Sequence, residues 1–192
     1  MAKLHFTHGA MGSSKTAQVL MTRFNYLEKG RSVLLMKPAI DTRDGVATIR
    51  SRIGLEAEAV VIHPDSDIYK LASEHKASVI IVDEAQFLSE DHVLQLRNIV
   101  SKFNIPVLCY GLRTDFRGKL FPGSKALFEL ADDIQECQTI CECGNKAIMN
   151  ARFDENGKVI IDGEIIVLGG NEKYKSMCWS CYKKAIDKKT KD

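Results

Sequence analysis

The sequence predicts an α/β fold: a mostly parallel sheet flanked by helices, followed by a small β domain. Three observations predict it. The runs "SVLLMKP" (32–38), "SVIIVDE" (78–84) and "IPVLCYGL" (105–112) are apolar almost throughout, as strands buried on both faces require. Segments with apolar residues at helical spacing lie between strand-like runs, and that alternation builds parallel sheets. Beyond residue 137 the texture changes, because four of the six cysteines fall there.

The elements follow in order. "KLHFTH" (3–8) is a short β-type run. Residues 15–29 carry Ala17, Leu20, Met21, Phe24 and Leu27 at helical spacing, and Gly30 closes that helix. Pro38 stops the next strand, and "AVVIH" (59–63) is another. "DSDIYKLASEHK" (65–76) is helical, with Ile68, Leu71 and Ala72 on one face. "SVIIVDE" is the clearest strand of the chain. Ser89 caps a helix carrying Val93, Leu96, Val100 and Phe103. "IPVLCYGL" is again a strand, and "ADDIQEC" (131–137) a weaker one. "DENGK" (154–158) reads as a hairpin turn between "IMNARF" and "VIIDGEIIVL". The expected boundaries are 1–137 for the α/β domain, 138–185 for the small β domain and 186–192 for a charged tail, with "KKAIDKKTKD" frayed.

Bulk properties narrow the function classes. A chain of 192 residues can build one sizeable core with an appendage. A net charge of +2 is too small to make nucleic acid or a membrane surface the main partner. No apolar run approaches the roughly 18 residues of a membrane span, and "MAKLHFTHG" lacks the apolar stretch of a secretory signal. The expected compartment is the cytoplasm, where clustered cysteines bind metal rather than pair.

"FTHGAMGSSKTA" (6–17) lies between a strand and a helix, the setting of a phosphate-cradling loop, or P-loop. Backbone N–H groups of Gly9, Ala10, Met11, Gly12, Ser13 and Ser14 would hold phosphate oxygens at the helix N-terminus. Lys15 would bridge the outer phosphates of a nucleoside triphosphate, and the Thr16 hydroxyl would help hold Mg²⁺. The departure is Ser14, which stands where the motif has its second glycine. If that position needs a positive φ, serine stores roughly 1 kcal/mol or more of strain; at a negative φ it costs little. The plainer reading is a small-residue turn ahead of a helix.

"VIIVDEAQF" (79–87) is an apolar strand ending in two acids, at the sheet edge where a P-loop would lie. Asp83 suits a magnesium-bound water, and Glu84 suits a base that takes the proton of an attacking hydroxyl. "KPAIDTRDG" (37–45) places Asp41, Arg43 and Asp44 after a strand, and "GLRTDFRGKLF" (111–121) places Arg113, Asp115, Phe116 and Arg117 after another. Phe116 has the shape to stack on a flat base. Taken singly, each of these also reads as a solvated loop residue.

The pairs Cys141-x-Cys143 and Cys178-x-x-Cys181 suit a tetrahedral Zn²⁺ with no open position, a structural site for a segment too short to build its own core. Gly144 permits the turn beside the first pair. Cys137 is an alternative ligand, and Cys109, within an apolar run, reads as core.

Together these stretches resemble the type II thymidine kinases, the zinc-containing cytosolic family, over nearly the whole chain. The matching segments are "GAMGSSKT", "KPAIDTR", "VDEAQF", "CYGLRTDFRGKLF", "CECG" and "LGGNEKYKSMCWSCY", and the C-x-C pair looks like one bacterial branch. The resemblance implies a P-loop domain plus a zinc-ribbon-like β domain carrying a lasso loop. It implies transfer of the γ-phosphate of ATP to the 5′-hydroxyl of thymidine or deoxyuridine. Glu84 would be the general base, residues 9–16 would hold the ATP phosphates, and Asp83, Glu84, Ala85 and Gln86 would border the nucleotide and Mg²⁺. Met11 would lie against thymine, Asp41 and Arg43 near the reacting end of the donor, and Leu112 and Phe116 along the base pocket. The lasso maps to about 149–174, with Val167, Gly169 and Tyr174 lining the nucleoside. The family also implies a homotetramer, feedback inhibition by dTTP, and usually a glycine where Ser14 stands.

Two rival readings have distinct signatures. A P-loop NTPase without an acceptor would need neither Glu84 nor a lasso. A zinc-ribbon nucleic-acid binder would carry a basic–aromatic face; here the lysines at 183, 184, 188, 189 and 191 read as a solvated terminus.

Overall fold

The computed structural model describes residues 1–165 and 173–189. Strands β1 (Leu4–Gly9), β2 (Val33–Pro38), β5 (Val60–Ile62), β6 (Val79–Val82), β7 (Val107–Leu112) and β8 (Asp133–Glu136) form one sheet in the order β5-β2-β6-β7-β1-β8. Every pairing in it is parallel. The C-terminal ends of β1, β2, β6 and β7 therefore meet at one edge, where an open α/β sheet binds ligands.

Burial explains why β6 is apolar throughout. Ile80 and Val82 face a core shared with Leu4, Phe6, Met36, Leu96 and Leu127. Val79 and Ile81 face the opposite core with Val19, Leu20, Leu35 and Tyr110. The period of two along a strand sends alternate residues into the two layers, so no position can be polar. β8, at the sheet margin, keeps only one partner strand and exposes much of its length. Helices α1 (Lys15–Glu28), α2 (Ile68–Glu74), α3 (Glu90–Phe103) and α4 (Pro122–Leu130) flank this sheet. The Ser89 hydroxyl caps α3 by accepting from the His92 N–H at 3.1 Å, as its sequence predicts.

Several elements differ from expectation. On α1, core contact runs through Ala17, Val19 and Leu20, whereas Met21, Phe24 and Leu27 remain 50%, 62% and 42% exposed. A short antiparallel hairpin, β3 (Thr48–Arg50) with β4 (Glu56–Glu58), stands between β2 and β5. A 3₁₀ turn (Ala85–Phe87) follows β6. α4 has no counterpart among the expected elements, although Ala126, Leu127 and Leu130 keep a helical spacing and pack on one core.

A second sheet, in the order β10-β9-β11, is antiparallel: β9 (Met149–Phe153), β10 (Val159–Ile160) and β11 (Tyr174–Met177). The predicted hairpin joins the first two. Asp154 Oδ1 accepts from the N–H groups of Asn156 and Lys158, and Gly157 takes φ 73° in the turn. The charged segment from Lys183, expected to fray, is helical through Lys189 in α5 (Trp179–Lys189). Tyr182 accounts for this order: it is buried against Met149 and Val159, and its hydroxyl donates to the Phe116 carbonyl at 2.8 Å.

Candidate active site

The loop between β1 and α1 has P-loop geometry at its glycines. A Cβ on Gly9 would collide with the Cys137 carbonyl and the Ser13 hydroxyl, and Gly12 sits at φ 73°. Ser14 adopts φ 62°, ψ 21°, the left-handed region, and its side chain makes no capping hydrogen bond with α1. The serine therefore occupies a glycine conformation, at roughly 1 kcal/mol of strain. Replacing it should release that strain. Ser14→Gly is expected to keep activity and to raise stability by about 0.5–1 kcal/mol, read as a higher denaturation midpoint; a collapse of activity instead would show that the hydroxyl is needed.

Lys15 is buried, and the loop's own oxygens solvate its charge. Its Nζ donates to the Ala10 carbonyl at 2.8 Å, the Ser13 hydroxyl at 3.0 Å and the Gly9 carbonyl at 3.4 Å. Desolvation lowers its pKa against the opposing pull of Glu84 and Asp83. Asp83, buried at the end of β6, accepts from the Thr16 hydroxyl and, at 3.0 Å, from the Glu84 N–H. Burial first, and then the Glu84 charge, push its carboxyl well above the usual range.

Glu84 is the second non-glycine residue of the site in the left-handed region, at φ 51°. Backbone strain of this kind collects where surrounding contacts over-determine a functional geometry. Those contacts are visible: Oε1 accepts from Arg43 Nη2, and Oε2 accepts from Gln86 Nε2 at 2.5 Å. Gln86 is fixed in turn, its Oε1 accepting from the Leu112 N–H at 2.9 Å. A Cβ on Gly111 would lie 2.7 Å from that same Oε1, so the close approach requires glycine. On the other side, Arg43 Nε donates to Asp41 at 2.7 Å, and Asp41 pairs with the fully buried Lys37 at 3.1 Å. The Glu84 charge, more than any other group, holds Arg43 above its ordinary pKa. Burial works against ionised Asp41, but Arg43 and Lys37 outweigh it and keep its carboxyl low. A chain of alternating charge thus runs Lys37, Asp41, Arg43, Glu84 and ends on Gln86.

Asp41, Arg43 and Glu84 of this chain border an open cavity of about 830 Å³, lined also by Met11 to Ala17, Thr42, Asp44, Asp83 and Leu112, with residues 49–54 of the β3–β4 hairpin on its far side. Ala85 is fully buried behind it. Phe116 is buried too, and the Arg152 guanidinium covers its ring at 3.9 Å from the centroid. Tyr174 lies on β11, paired in register with Arg152. Val167 and Gly169 lie outside the described residues.

The four cysteines of the two pairs come together, with all Sγ atoms within 4.8 Å of one another. Cys143 and Cys178 are 3.6 Å apart, close to the ~3.8 Å that Zn–S bonds of about 2.3 Å impose in a tetrahedron. Their donor set and spacing are compatible with a structural zinc. Gly144, at φ 85°, closes the turn after the first pair, and the second pair brackets the start of α5. Cys137 is not an alternative ligand: its thiol donates to the Ser13 carbonyl and accepts from Gln18 at 3.2 Å, beside the P-loop. Cys109 is fully buried in the sheet, where desolvation pushes its pKa up, as a core residue's should be.

A sequence profile of the family described as thymidine kinase matches residues 2–182. The chain belongs to the thymidine kinase family. A thymidine kinase of Legionella pneumophila (strain Paris) is 48% identical over 195 residues, covering 99% of this chain and 93% of its own. One of Vibrio cholerae serotype O1 is 48% identical over 190 residues, covering 97% and 99%. One of Agrobacterium fabrum is 48% identical over 182 residues, covering 93% and 94%. Membership in this family makes the chain a nucleotide-using kinase.

Three residues of this kinase's site region had no place in the sequence reading. Asn150 on β9 accepts from the Met11 N–H at 2.8 Å and donates to the Thr114 carbonyl at 3.1 Å. Ser176 on β11 donates to the Met11 carbonyl. Lys37 anchors the charge chain from within β2. Only Lys37 left a trace in the sequence, as a lysine at the end of an otherwise apolar strand.

Proposed function

We propose that the enzyme transfers the γ-phosphate of ATP to the 5′-hydroxyl of thymidine, and of deoxyuridine, giving the nucleoside monophosphate. The observation that carries this reading is Glu84, a carboxylate gripped by Arg43 and Gln86 on the same cavity wall as the P-loop. A hydrolase could turn such a base on water; the thymidine kinase family to which the chain belongs supports a nucleoside hydroxyl as the acceptor. Phosphoryl transfer asks mainly for alignment and charge neutralisation. Residues Gly9 to Thr16 hold the ATP phosphates, Lys15 supplies positive charge to the outer phosphates, and Arg43 supplies further positive charge near Asp41. Thr16 and Asp83 are the residues that would hold Mg²⁺, which neutralises phosphate charge when bound. Glu84 accepts the proton of the nucleoside hydroxyl. Ala85 and Gln86 hold the base of that wall in place.

Met11, Leu112, Phe116, Val167, Gly169 and Tyr174 form the nucleoside side of the reading, with the lasso of the 138–185 unit excluding water from the reaction. Cys141, Cys143, Cys178 and Cys181 hold a structural Zn²⁺ that gives this lasso a fixed base. A homotetramer, feedback by dTTP and a cytoplasmic location complete the proposal, without nucleic acid or membrane as partner. The exposed stripe of Met21, Phe24 and Leu27 supports association with other copies. No helix among the described residues is long and apolar enough to cross a membrane.

The test is direct. Incubated with Mg-ATP and each natural nucleoside in turn, the enzyme is expected to form dTMP from thymidine and dUMP from deoxyuridine, detected by chromatography. ATP hydrolysis that proceeds equally with and without nucleoside, with no dTMP formed, sinks the reading.

A further inference from the structure

The β3–β4 hairpin forms the far wall of the cavity, and its turn is tightly built. The Ser51 N–H donates to the Leu55 carbonyl at 2.8 Å, the Leu55 N–H donates to the Ser51 hydroxyl at 3.0 Å, and the Gly54 N–H donates to the Ser51 carbonyl at 3.1 Å. Gly54, at φ 87°, permits that closure. Ile49 ties the hairpin down by burying itself with Val19 and Leu20 of α1. A rigid turn is thus suspended over the P-loop, and Arg52 stands on it. Arg52 Nη1 lies 3.6 Å from where a Cβ on Gly12 would be, directly above the loop.

The charges around the cavity set Arg52 apart. Lys15 is hydrogen-bonded to loop oxygens, Arg43 bridges Asp41 and Glu84, and Arg50 pairs with Glu56 at 2.9 Å. Among the described residues Arg52 alone of these cations has neither a carboxylate nor a hydrogen-bond partner, and it is exposed. Its fork of donors matches phosphate oxygens, and a guanidinium is more weakly hydrated than an ammonium. We propose that Arg52 is a phosphate-binding residue, clasping the triphosphate of the nucleotide from the side opposite the P-loop. This rests on the reading of the cavity as the ATP site.

The test uses the full chain with Arg52→Gln and Arg52→Lys, titrated calorimetrically with Mg-ATP and with inorganic tripolyphosphate. Arg52→Gln is expected to weaken both ligands by about tenfold or more, the value of a charged hydrogen-bond pair. Arg52→Lys should recover part of the loss. The melting temperature and the KM for thymidine should stay near those of the unmodified enzyme. Unchanged affinity for both probes in Arg52→Gln overturns the proposal, and so does a loss confined to thymidine. Calorimetry also separates the two ideas: Arg52-dependent tripolyphosphate binding without dTMP formation sustains this site while the thymidine reading falls.

Discussion

Glu84→Gln is expected to lower kcat by about 10²–10⁴-fold, the usual worth of a positioned general base, while the affinities for thymidine and ATP stay within a few-fold. The substitution keeps the shape and removes the charge and basicity. Arg43 retains its 2.7 Å bond to Asp41, so the guanidinium stays on the cavity wall. Gln86 retains its bond from the Leu112 N–H and so does not swing free. The left-handed backbone at residue 84 treats Gln and Glu alike, which confines the change to proton transfer. Steady-state kcat and an equilibrium Kd for thymidine read the outcome. A fall in kcat at constant Kd marks an interaction made in the transition state. If kcat holds and thymidine binding collapses, Glu84 is a structural anchor and the base lies elsewhere.

The same residue shows what a sequence carries and what it hides. The acids after β6 are legible because the strand's two-sided burial makes any charge at its end conspicuous, and the P-loop is legible because its spacing is dictated by phosphate geometry. The grip on Glu84 is not: Arg43 reaches it from the loop after β2, and Leu112 and Lys37 act at one remove through Gln86 and Asp41, contacts distant from Glu84 in the chain that leave no local pattern. α4 was hidden for a related reason. It packs so closely on the 3₁₀ turn that a Cβ on Gly123 would lie 2.6 Å from the Ala85 carbonyl, and Ser124 is fully buried. Close approach selects glycine and serine, which read as loop composition. The β3–β4 strands are three residues each with Ile49 as their one fully buried apolar side chain, too little for a period. On α1 the opposite error arises, since Met21, Phe24 and Leu27 keep helical spacing yet lie outside this chain's core. For Ser14 the residue types left both backbone conformations open, and only the positive φ decides that the missing glycine costs stability.

Cys178→Ser is expected to abolish zinc binding, from about one ion per chain to none, and to loosen the C-terminal sheet. The core there is thin: Met149, Ala151, Val159 and Tyr182 are its buried members. A unit of that size would depend on a metal held by the four cysteines, because ligand binding supplies the folding energy that such limited burial cannot. Amide exchange should therefore accelerate in β9 and β11 while β6, buried on both faces, stays protected. The consequence reaches the active site through Met11, whose backbone N–H and carbonyl are held by Asn150 on β9 and Ser176 on β11. Thymidine KM should rise by about tenfold or more as this support is lost, since misplacement by an ångström is costly in a preorganised site. Cys137→Ser should leave zinc content unchanged, because that thiol faces Ser13 and Gln18. Full zinc content in the Cys178→Ser enzyme would break the assignment of the four thiolates. Zinc loss with exchange and thymidine KM unaltered would instead break the mechanical link from the metal, through β9 and β11, to the P-loop.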